Sequence, residues 1–254
     1  MRARARRAAA AAVLAIIGLA RQSPAQDLIV SAAASLTDVV GEIARAYEAE
    51  AKTRIALNFG ASNLLARQIE EGAPVDLFLS ADEASLDRLD RKGLLFPGTR
   101  RSILSNLLVV VVEKTSAIPI DSPASLAGGA VRSLALAEPA SVPAGIYARE
   151  YLERLGLWEK IRAKVIPTEN VRAALAAVES GNADAAIVYR TDAAISRKVR
   201  VAYVVPADDG PRISYGAAVV RESRRNEAAR RFLSYLASPS ASVIFRRYGF
   251  LPAR

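Results

Sequence analysis

The stretch RIALNFGASNLLARQIEEGAPVDLFLSA, residues 54–81, contains a strand, a helix and a second strand in close succession. Its first seven residues are strand-like, and Leu64, Leu65 and Ile69 then recur at helical spacing. Gly72 ends the helix, and the last seven residues form another apolar strand. This order predicts a β-α-β unit, in which two parallel strands are joined by a helix that packs on the sheet.

The same alternation extends in both directions from this unit. Toward the N-terminus lie an apolar strand at 28–35 and a helix with Val39, Ile43 and Tyr47 on one face, and toward the C-terminus lies the β-branched strand LLVVVVE at 107–113. After a Ser-, Pro- and Gly-rich connection at 114–130, the pattern predicts strands at 133–139, 163–168 and 184–190, with helices at 144–155 and 171–180. A second connection at 201–212 is followed by a strand at 215–220 and a helix containing Ala229, Phe232, Leu233 and Leu236.

Two connections divide the alternating pattern into two α/β lobes. We expect residues 26–112 together with 207–254 to form lobe I, and residues 113–206 to form lobe II. The chain then crosses between the lobes near residues 112 and 207, and its last segment returns to lobe I. Each lobe is expected to contain a mainly parallel sheet with helices on both faces.

The first 25 residues read as a secretory signal peptide. They have a basic start, an apolar run of about 13 residues and small residues before a cleavage point, whereas a membrane-spanning helix needs about 20. They also hold five Arg and no acid, so the net charge of +9 becomes +9 − 5 = +4 without them. A basic excess this small does not indicate nucleic-acid binding. We expect an exported protein that is confined to a periplasm.

The chain contains no His and no Cys. This composition excludes Ser-His-Asp and Cys-His catalysis as well as zinc sites built on histidine. Without cysteine there is also no thiol to carry a lipid anchor. Any hydrolytic chemistry would have to use carboxylates, Lys or Tyr, which lowers the expectation of an enzyme.

Four loops place small residues where a strand ends and a helix begins, at 32–38, 59–65, 141–147 and 168–174. The first turn of a helix has backbone N–H groups without intrahelical partners and carries a partial positive charge. In α/β folds such helix starts gather at the carboxyl edge of the sheet. Two facing lobes can therefore direct four of them into one cleft, where a small anion is the expected ligand.

Each loop also has a purely structural interpretation. Ser35 with Asp38 fits a capping box, and Ser62 fits a simple N-cap. Asn170 is expected to cap the helix that follows it, and Pro143 suits the first turn of its helix. The case for a binding site depends on the four loops as a set.

Four blocks of sequence resemble the periplasmic molybdate-binding proteins of ABC importers. They are AAASLTD (32–38), FGASNLLARQIEEGAPVDLFLSAD (59–82), VPAGIYAREYLERLGLW (142–158) and ENVRAALAAVESGNADAAIVYRTDA (169–193). The resemblance covers the chain from about residue 27 to the C-terminus. It implies the two-lobed type II periplasmic-binding-protein fold, with mixed, mostly parallel sheets flanked by helices and a ligand cleft between the lobes.

By motif position, the resemblance implies five ligand-binding residues. Ser35 and Ser62 would donate from their hydroxyls, Ala144 and Val171 from their backbone N–H groups, and Tyr189 from its phenol. The implied ligand is molybdate or tungstate, held without a metal–protein bond and without any cofactor. The implied partner is the membrane permease of an ABC importer, and the protein is expected to be a monomer without enzymatic activity.

The chemistry of this donor set agrees with such a ligand. Molybdate is a tetrahedral dianion without a proton at neutral pH, so it only accepts hydrogen bonds, and all five groups can donate. Phosphate keeps a proton that favours an acceptor, and Asp38 is the nearest acid. If Asp38 caps its own helix, phosphate is disfavoured, whereas sulfate can be excluded only by the size of the cavity.

Three alternatives remain open at the level of sequence. The same scaffold can bind another oxyanion, such as sulfate or a phosphonate. An exported enzyme can use Asp38, Asp76 and Asp82 as acid and base, although Asp76 and Asp82 fit structural roles at a strand and a helix start. The lobes can also belong to a transcription regulator, against which stand the export signal and the lack of a helix-turn-helix pattern.

Overall fold

The computed structural model describes residues 27–253. The predicted signal peptide, residues 1–25, lies outside the described residues. Strands and helices alternate along most of the described chain, as the sequence predicts. Between residues 27 and 253, no helix is both long enough and apolar enough to cross a membrane.

The strands and helices have the following bounds. The strands are β1 (Leu28–Ala33), β2 (Ile55–Gly60), β3 (Leu77–Ser80), β4 (Arg101–Ser105), β5 (Leu108–Glu113), β6 (Leu134–Ala137), β7 (Val165–Thr168), β8 (Ala185–Tyr189), β9 (Val199–Val204), β10 (Tyr215–Val219) and β11 (Leu251–Pro252). The helices are α1 (Thr37–Ala51), α2 (Ser62–Glu70), α3 (Glu83–Arg91), α4 (Pro143–Arg154), α5 (Trp158–Ile161), α6 (Val171–Glu179), α7 (Arg190–Ile195), α8 (Asn226–Leu236) and α9 (Pro239–Arg247). Short 3₁₀ turns lie at Ala34–Leu36, Pro123–Ala127 and Arg162–Lys164.

The strands form two sheets. The first has the order β11-β4-β10-β3-β1-β2, and the second has the order β7-β6-β8-β5-β9. In the first sheet β10 and β11 run against the other four strands, and in the second sheet β5 runs against the other four. Both sheets are therefore mixed, with most strands pointing the same way. We refer to the first sheet and its helices as the first lobe, and to the second sheet and its helices as the second lobe.

Residues 54–81 form the predicted β-α-β unit. β2 and β3 pair with β1 on its two sides, both in parallel, so α2 carries the chain across β1. Leu65 and Ile69 are buried as expected, whereas Leu64 faces solvent with 51% of its surface exposed. Gly72 has a φ of +89°, a conformation that side chains disfavour, which explains glycine just after the end of α2.

The first crossing between the lobes lies earlier in the chain than the sequence predicts. β5 pairs antiparallel with β8 and with β9, so it belongs to the second sheet. The expected boundary at residue 112 is therefore corrected to residues 106–107, between β4 and β5. The burial of Leu108–Val112 on both faces fits a central strand of either sheet, so its apolar pattern does not reveal to which sheet it belongs.

The second crossing lies between β9 and β10 and includes residue 207, where it is expected. However, β9 occupies the first part of the predicted connection at 201–212. It is an edge strand whose Val201 and Val204 are exposed, so it lacks the continuous apolar run by which the central strands are recognised. The proline, aspartate and glycine signals that follow it mark only the rest of the connection.

Helices cover both sheets and complete the core. α1 buries Val39, Ile43 and Tyr47, as the sequence predicts. The predicted C-terminal helix is α8, which buries Phe232 and Leu233 and returns the chain to the first sheet. The residues that follow the carboxyl ends of β1, β2 and β3 carry the first-lobe part of the candidate site.

Candidate functional site

A small cavity lies between the lobes, at the carboxyl ends of strands from both sheets. It is lined by Ala33, Ala34, Ser35, Gly60, Ala61, Ser62 and Ala81 of the first lobe and by Val142, Pro143, Ala144, Asn170, Val171 and Tyr189 of the second. The centre of a water-sized sphere can move through only about 10 Å³ of it. Pockets for larger molecules typically hold several hundred cubic ångströms. The cavity therefore suits an ion of a few atoms.

The structure brings all five predicted site residues to this one cavity. They are Ser35, Ser62, Ala144, Val171 and Tyr189, and at most 4% of the surface of each is exposed. Two lie on the first lobe and three on the second, so neither lobe holds the complete set.

Ser62 opens α2 but does not cap it. Ala61 is the N-cap residue, and the Ser62 hydroxyl oxygen instead accepts the backbone N–H of Ala81 at 2.9 Å. The N-cap interpretation of Ser62 is thus wrong. Because an amide N–H can only donate, the hydroxyl proton of Ser62 does not serve that bond and is available to the cavity.

Ser35 does not form the expected capping box with Asp38. It lies inside the 3₁₀ turn that precedes α1, and its Oγ is 3.1 Å from the phenol oxygen of Tyr215. Asp38 forms an ion pair with Arg172 at 2.6 Å instead of bonding to its own helix start. The capping-box prediction fails because a 3₁₀ turn shifts the start of α1 past Ser35, to Thr37.

The first turn of α4 contributes Ala144. Pro143 opens this helix, as the sequence predicts, and the first backbone bond of the turn joins the Ile146 N–H to the Val142 carbonyl. The Ala144 N–H precedes that bond. Gly145 permits this placement, because a Cβ there would lie 1.9 Å from the carbonyl oxygen of Ala137, so α4 can approach the end of β6 closely.

The first turn of α6 contributes Val171. Asn170 caps this helix as predicted, since its Oδ1 accepts the N–H groups of Arg172 at 2.9 Å and Ala173 at 3.0 Å. The Asn170 side chain does not accept the N–H of Val171. Val171 lines the cavity, so its N–H is available to a ligand there.

Tyr189 ends β8 with its ring fully buried. Among the described residues, its hydroxyl has no hydrogen-bond partner. Burial raises the pKa of Tyr189 well above its ordinary value, so the phenol keeps its proton at neutral pH. A buried hydroxyl at a cavity between two lobes is suited to donate to a ligand there.

A family model described as bacterial extracellular solute-binding protein matches residues 28–251. The chain belongs to this family. Its two sheets and the cavity between them are the features that a solute-binding protein needs to enclose a small ligand.

Known relatives of this solute-binding protein agree with that assignment. It is 43% identical over 230 residues to the molybdate-binding protein ModA of Escherichia coli (strain K12), a match that covers 88% of each chain. The structure superimposes on the Azotobacter vinelandii periplasmic molybdate-binding protein with a TM-score of 0.82 and 26% identity, covering 90% of this chain and 100% of that chain. It also matches the substrate-binding domain of a putative molybdenum ABC transporter from Clostridium difficile, with a TM-score of 0.70, 34% identity and coverage of 90% and 99%.

The lining of the cavity carries no formal charge in the described part of the chain. None of the lining residues is Asp, Glu, Lys or Arg. Nor does the described part of the solute-binding protein contain a cluster of three or more His, Cys, Asp or Glu that could hold a metal ion. The groups that face a ligand in this cavity are therefore neutral side chains, backbone N–H groups and helix N-termini.

The three carboxylates of the enzyme alternative do not converge. Asp76 accepts the Ile29 N–H at 2.8 Å and pairs with Arg225 at 3.1 Å. Asp82 caps α3 through the Ser85 N–H at 3.1 Å. Together with the Asp38 ion pair, these contacts give each carboxylate a separate structural role.

Arg172 connects the two lobes beside the cavity. Its guanidinium lies 2.6 Å from Asp38 on α1 and 2.6 Å from Asp192 on α7. Burial raises the pKa of Asp192 to about 7, although the neighbouring Arg172 acts in the opposite direction. The arginine thus joins one carboxylate from each lobe.

The residues that support the lining from behind are not identifiable from the sequence. Ala81 fixes the Ser62 hydroxyl, while Tyr215 and Asn106 lie behind Ser35. Tyr215 stands at the start of a predicted strand, but nothing in a single sequence connects it with Ser35, 180 residues earlier. Only the fold brings these residues together.

Replacing Asn170 with Ala should lower the unfolding free energy of the ligand-free protein by about 1 kcal/mol, because two helix N–H groups lose their cap. Urea denaturation measures this change. Asn170→Asp is the matched control, since aspartate caps equally well and should stay close to the unsubstituted protein. Equal losses in both variants would show that the cap contributes nothing.

Proposed function

We propose that this solute-binding protein captures molybdate, and tungstate as its close analogue, and delivers it to the membrane permease of an ABC importer. The observation that carries the proposal is a cavity lined from both lobes by hydroxyl and backbone donors, without any carboxylate. The molybdate-binding names of its relatives support the same ligand. The protein acts as a monomeric carrier in the periplasm, exported by its N-terminal signal peptide, with no catalytic activity and no cofactor.

Neutral donors are sufficient for tight binding. A hydrogen bond to a charged group contributes about 1.5–3 kcal/mol, so five donors supply roughly 8–15 kcal/mol before the costs of ordering and closure. Micromolar to nanomolar affinity needs about 8–12 kcal/mol. Without a buried counter-ion, the ligand is also released more easily at the transporter.

The donor set favours a proton-free anion. Hydrogen phosphate brings a proton that needs an acceptor, and the nearest acid in the site motifs, Asp38, is paired with Arg172 and does not line the cavity. Sulfate is proton-free as well but smaller than molybdate. Its exclusion therefore depends on how closely the donors of the two lobes can approach each other.

Calorimetric titration of purified residues 26–254 with molybdate, tungstate, sulfate and phosphate tests the proposal. We expect molybdate and tungstate to bind at least a hundredfold more tightly than the other two anions. Each tenfold difference corresponds to about 1.4 kcal/mol, which calorimetry resolves readily. Tighter binding of sulfate would assign the same scaffold to sulfate, and the absence of binding by all four would overturn the proposal.

Binding is expected to close the two lobes about the crossings at residues 106–107 and 205–214. An open form offers the anion donors from one lobe only, and closure completes the set, so the ligand favours the closed state through its higher affinity for that state. Small-angle X-ray scattering should show a smaller radius of gyration when molybdate is added. An unchanged radius at saturating molybdate would contradict the hinge.

Asp38→Asn should weaken molybdate binding by up to about fivefold, because the partly exposed ion pair with Arg172 favours the closed arrangement and such pairs contribute about 0–1 kcal/mol. The effect should shrink at high salt, since screening weakens partly exposed pairs. Calorimetry at low and at high salt measures both changes. Glu71→Gln, which breaks the exposed Arg67–Glu71 pair at the C-terminal end of α2, is the control and should leave the affinity unchanged. Equal effects of the two substitutions would show that the Asp38–Arg172 pair does not favour the closed arrangement.

A further inference from the structure

We infer that Asn106 and Tyr215 are positioning residues that orient the Ser35 hydroxyl so that it donates its proton into the cavity. The inference rests on the proposed function, since it concerns how the same cavity binds its anion. It begins with a buried chain of hydrogen bonds behind Ser35. Asn106, Tyr215 and Ser35 are each at most 3% exposed, so water does not compete for these groups.

The side-chain amide of Asn106 has a defined orientation. Its Oδ1 accepts the backbone N–H of Leu107 at 2.9 Å, and because an amide N–H can only donate, the opposite side of the Asn106 side chain must be its NH₂ group. That group donates to Thr191 Oγ1 at 2.9 Å and to the phenol oxygen of Tyr215 at 3.3 Å.

This orientation determines the direction of the next bond. The phenol oxygen of Tyr215 already accepts from Asn106, and it has one proton to donate. Its other neighbour is Ser35 Oγ, at 3.1 Å. Burial raises the pKa of Tyr215, so the phenol keeps that proton. Among the described residues, Ser35 is the only acceptor bonded to this phenol, so we assign Tyr215 as the donor and Ser35 as the acceptor.

The direction of this bond decides what Ser35 offers to a ligand. If Ser35 donated its proton to Tyr215, only oxygen lone pairs would face the cavity, and these repel an anion. Because Tyr215 is the donor, the proton of Ser35 is free for the cavity that Ser35 lines. The Ser62 hydroxyl also keeps its proton free for the cavity, because its oxygen accepts the Ala81 N–H.

The hydrogen-bond chain lies where the lobes join. Asn106 occupies the first crossing, Thr191 belongs to the second lobe, and Tyr215 opens β10 directly after the second crossing. The Ser35 hydroxyl is therefore oriented by residues in or beside the two crossings, about which we expect the lobes to move.

A double-mutant cycle tests this assignment by molybdate calorimetry. In the unsubstituted protein, Ser35→Ala should weaken binding about 10- to 100-fold, the effect of one hydrogen bond to a charged group. In an Asn106→Asp background the carboxylate accepts the Tyr215 proton, and Tyr215 then accepts from Ser35. In that background, Ser35→Ala should therefore weaken binding less than about threefold, because the Ser35 proton already points to Tyr215 and not to the cavity.

Removing the competing acceptor should restore binding. Adding Tyr215→Phe to Asn106→Asp should recover at least about tenfold of the lost affinity, because without the phenol no acceptor competes for the Ser35 proton. Thermal unfolding without ligand verifies that each variant is folded.

The possible outcomes separate this inference from the proposed function. If the unsubstituted protein binds molybdate but Ser35→Ala costs the same in every background, or Tyr215→Phe restores nothing, the positioning role is overturned and the proposed function stands. If the unsubstituted protein binds no tetrahedral oxyanion, both are overturned. Rescue by Tyr215→Phe in the Asn106→Asp background supports the positioning role, because a purely structural or charge effect would not be reversed by removing the phenol oxygen.

Discussion

Ala144→Asp is expected to reduce molybdate affinity at least a thousandfold relative to Ala144→Asn. Ala144 serves the cavity through its backbone N–H, which both substitutions retain. The two new side chains have nearly the same size, so their difference isolates one negative charge. Calorimetric titration of both variants measures it.

The expected size of this effect follows from Coulomb's law. A single charge about 4 Å from a dianion, at an effective dielectric constant of about 20, costs roughly 8 kcal/mol, and half of that after screening already corresponds to about a thousandfold. The first turn of α4 favours an acidic residue, but Ala144 is buried, so thermal unfolding without ligand verifies that both variants are folded. Equal affinities of the Asp and Asn variants would mean that the anion does not bind beside Ala144.

Tyr189→Phe is expected to weaken molybdate binding about 10- to 100-fold without lowering the thermal stability of the ligand-free protein. The phenol is one of five predicted donors, and a hydrogen bond to a charged group contributes about 1.5–3 kcal/mol. Stability is retained because the hydroxyl has no partner among the described residues, and the ring contact with Tyr215, at 5.7 Å between centroids, is kept.

Calorimetry and thermal unfolding together test this second prediction. Tyr235→Phe is the matched control, because its hydroxyl lies 3.4 Å from Glu50 at the surface, and it should leave the affinity unchanged. An unchanged affinity in Tyr189→Phe would show that the Tyr189 hydroxyl does not donate to the anion. A fall in stability with unchanged affinity would show that the hydroxyl has a structural role.

The alternating fold and the meeting of the candidate residues at one cavity are predictable from sequence because they depend on local patterns. Val39, Ile43 and Tyr47 repeat with the period of a helix and are buried together. Residues that follow the carboxyl ends of parallel strands are brought to one edge by the fold itself. Thus the loops containing Ser35 and Ser62 could be placed near each other without a structure.

The hydrogen bonds of the site are not predictable in this way. Ser35 and Ser62 both match the preference for serine at a helix N-cap, but each bonds to a partner that is distant in sequence. The 3₁₀ turn before α1 shifts that helix start, and β3 brings Ala81 to Ser62. Asn170, by contrast, has local bonds and caps its helix as predicted.

Strand assignment fails for a related reason. The buried strand β5 has the same β-branched composition whichever sheet it joins, and its pairing with β8 and β9 is decided by the whole topology. β9 is an edge strand with exposed side chains, so its apolar signal is weak. Local patterns identify strands better than they identify the neighbours of strands.

Anomalous X-ray diffraction from crystals grown with molybdate, measured at the molybdenum absorption edge, tests the central claim most directly. We predict one anomalous peak in the cavity between the lobes, with the anion's oxygens 2.7–3.1 Å from the Ser35, Ser62 and Tyr189 hydroxyls and from the Ala144 and Val171 amide nitrogens, the usual range for hydrogen bonds. A peak elsewhere, or an anion held by Lys or Arg side chains, would contradict the claim that neutral donors from two lobes bind it.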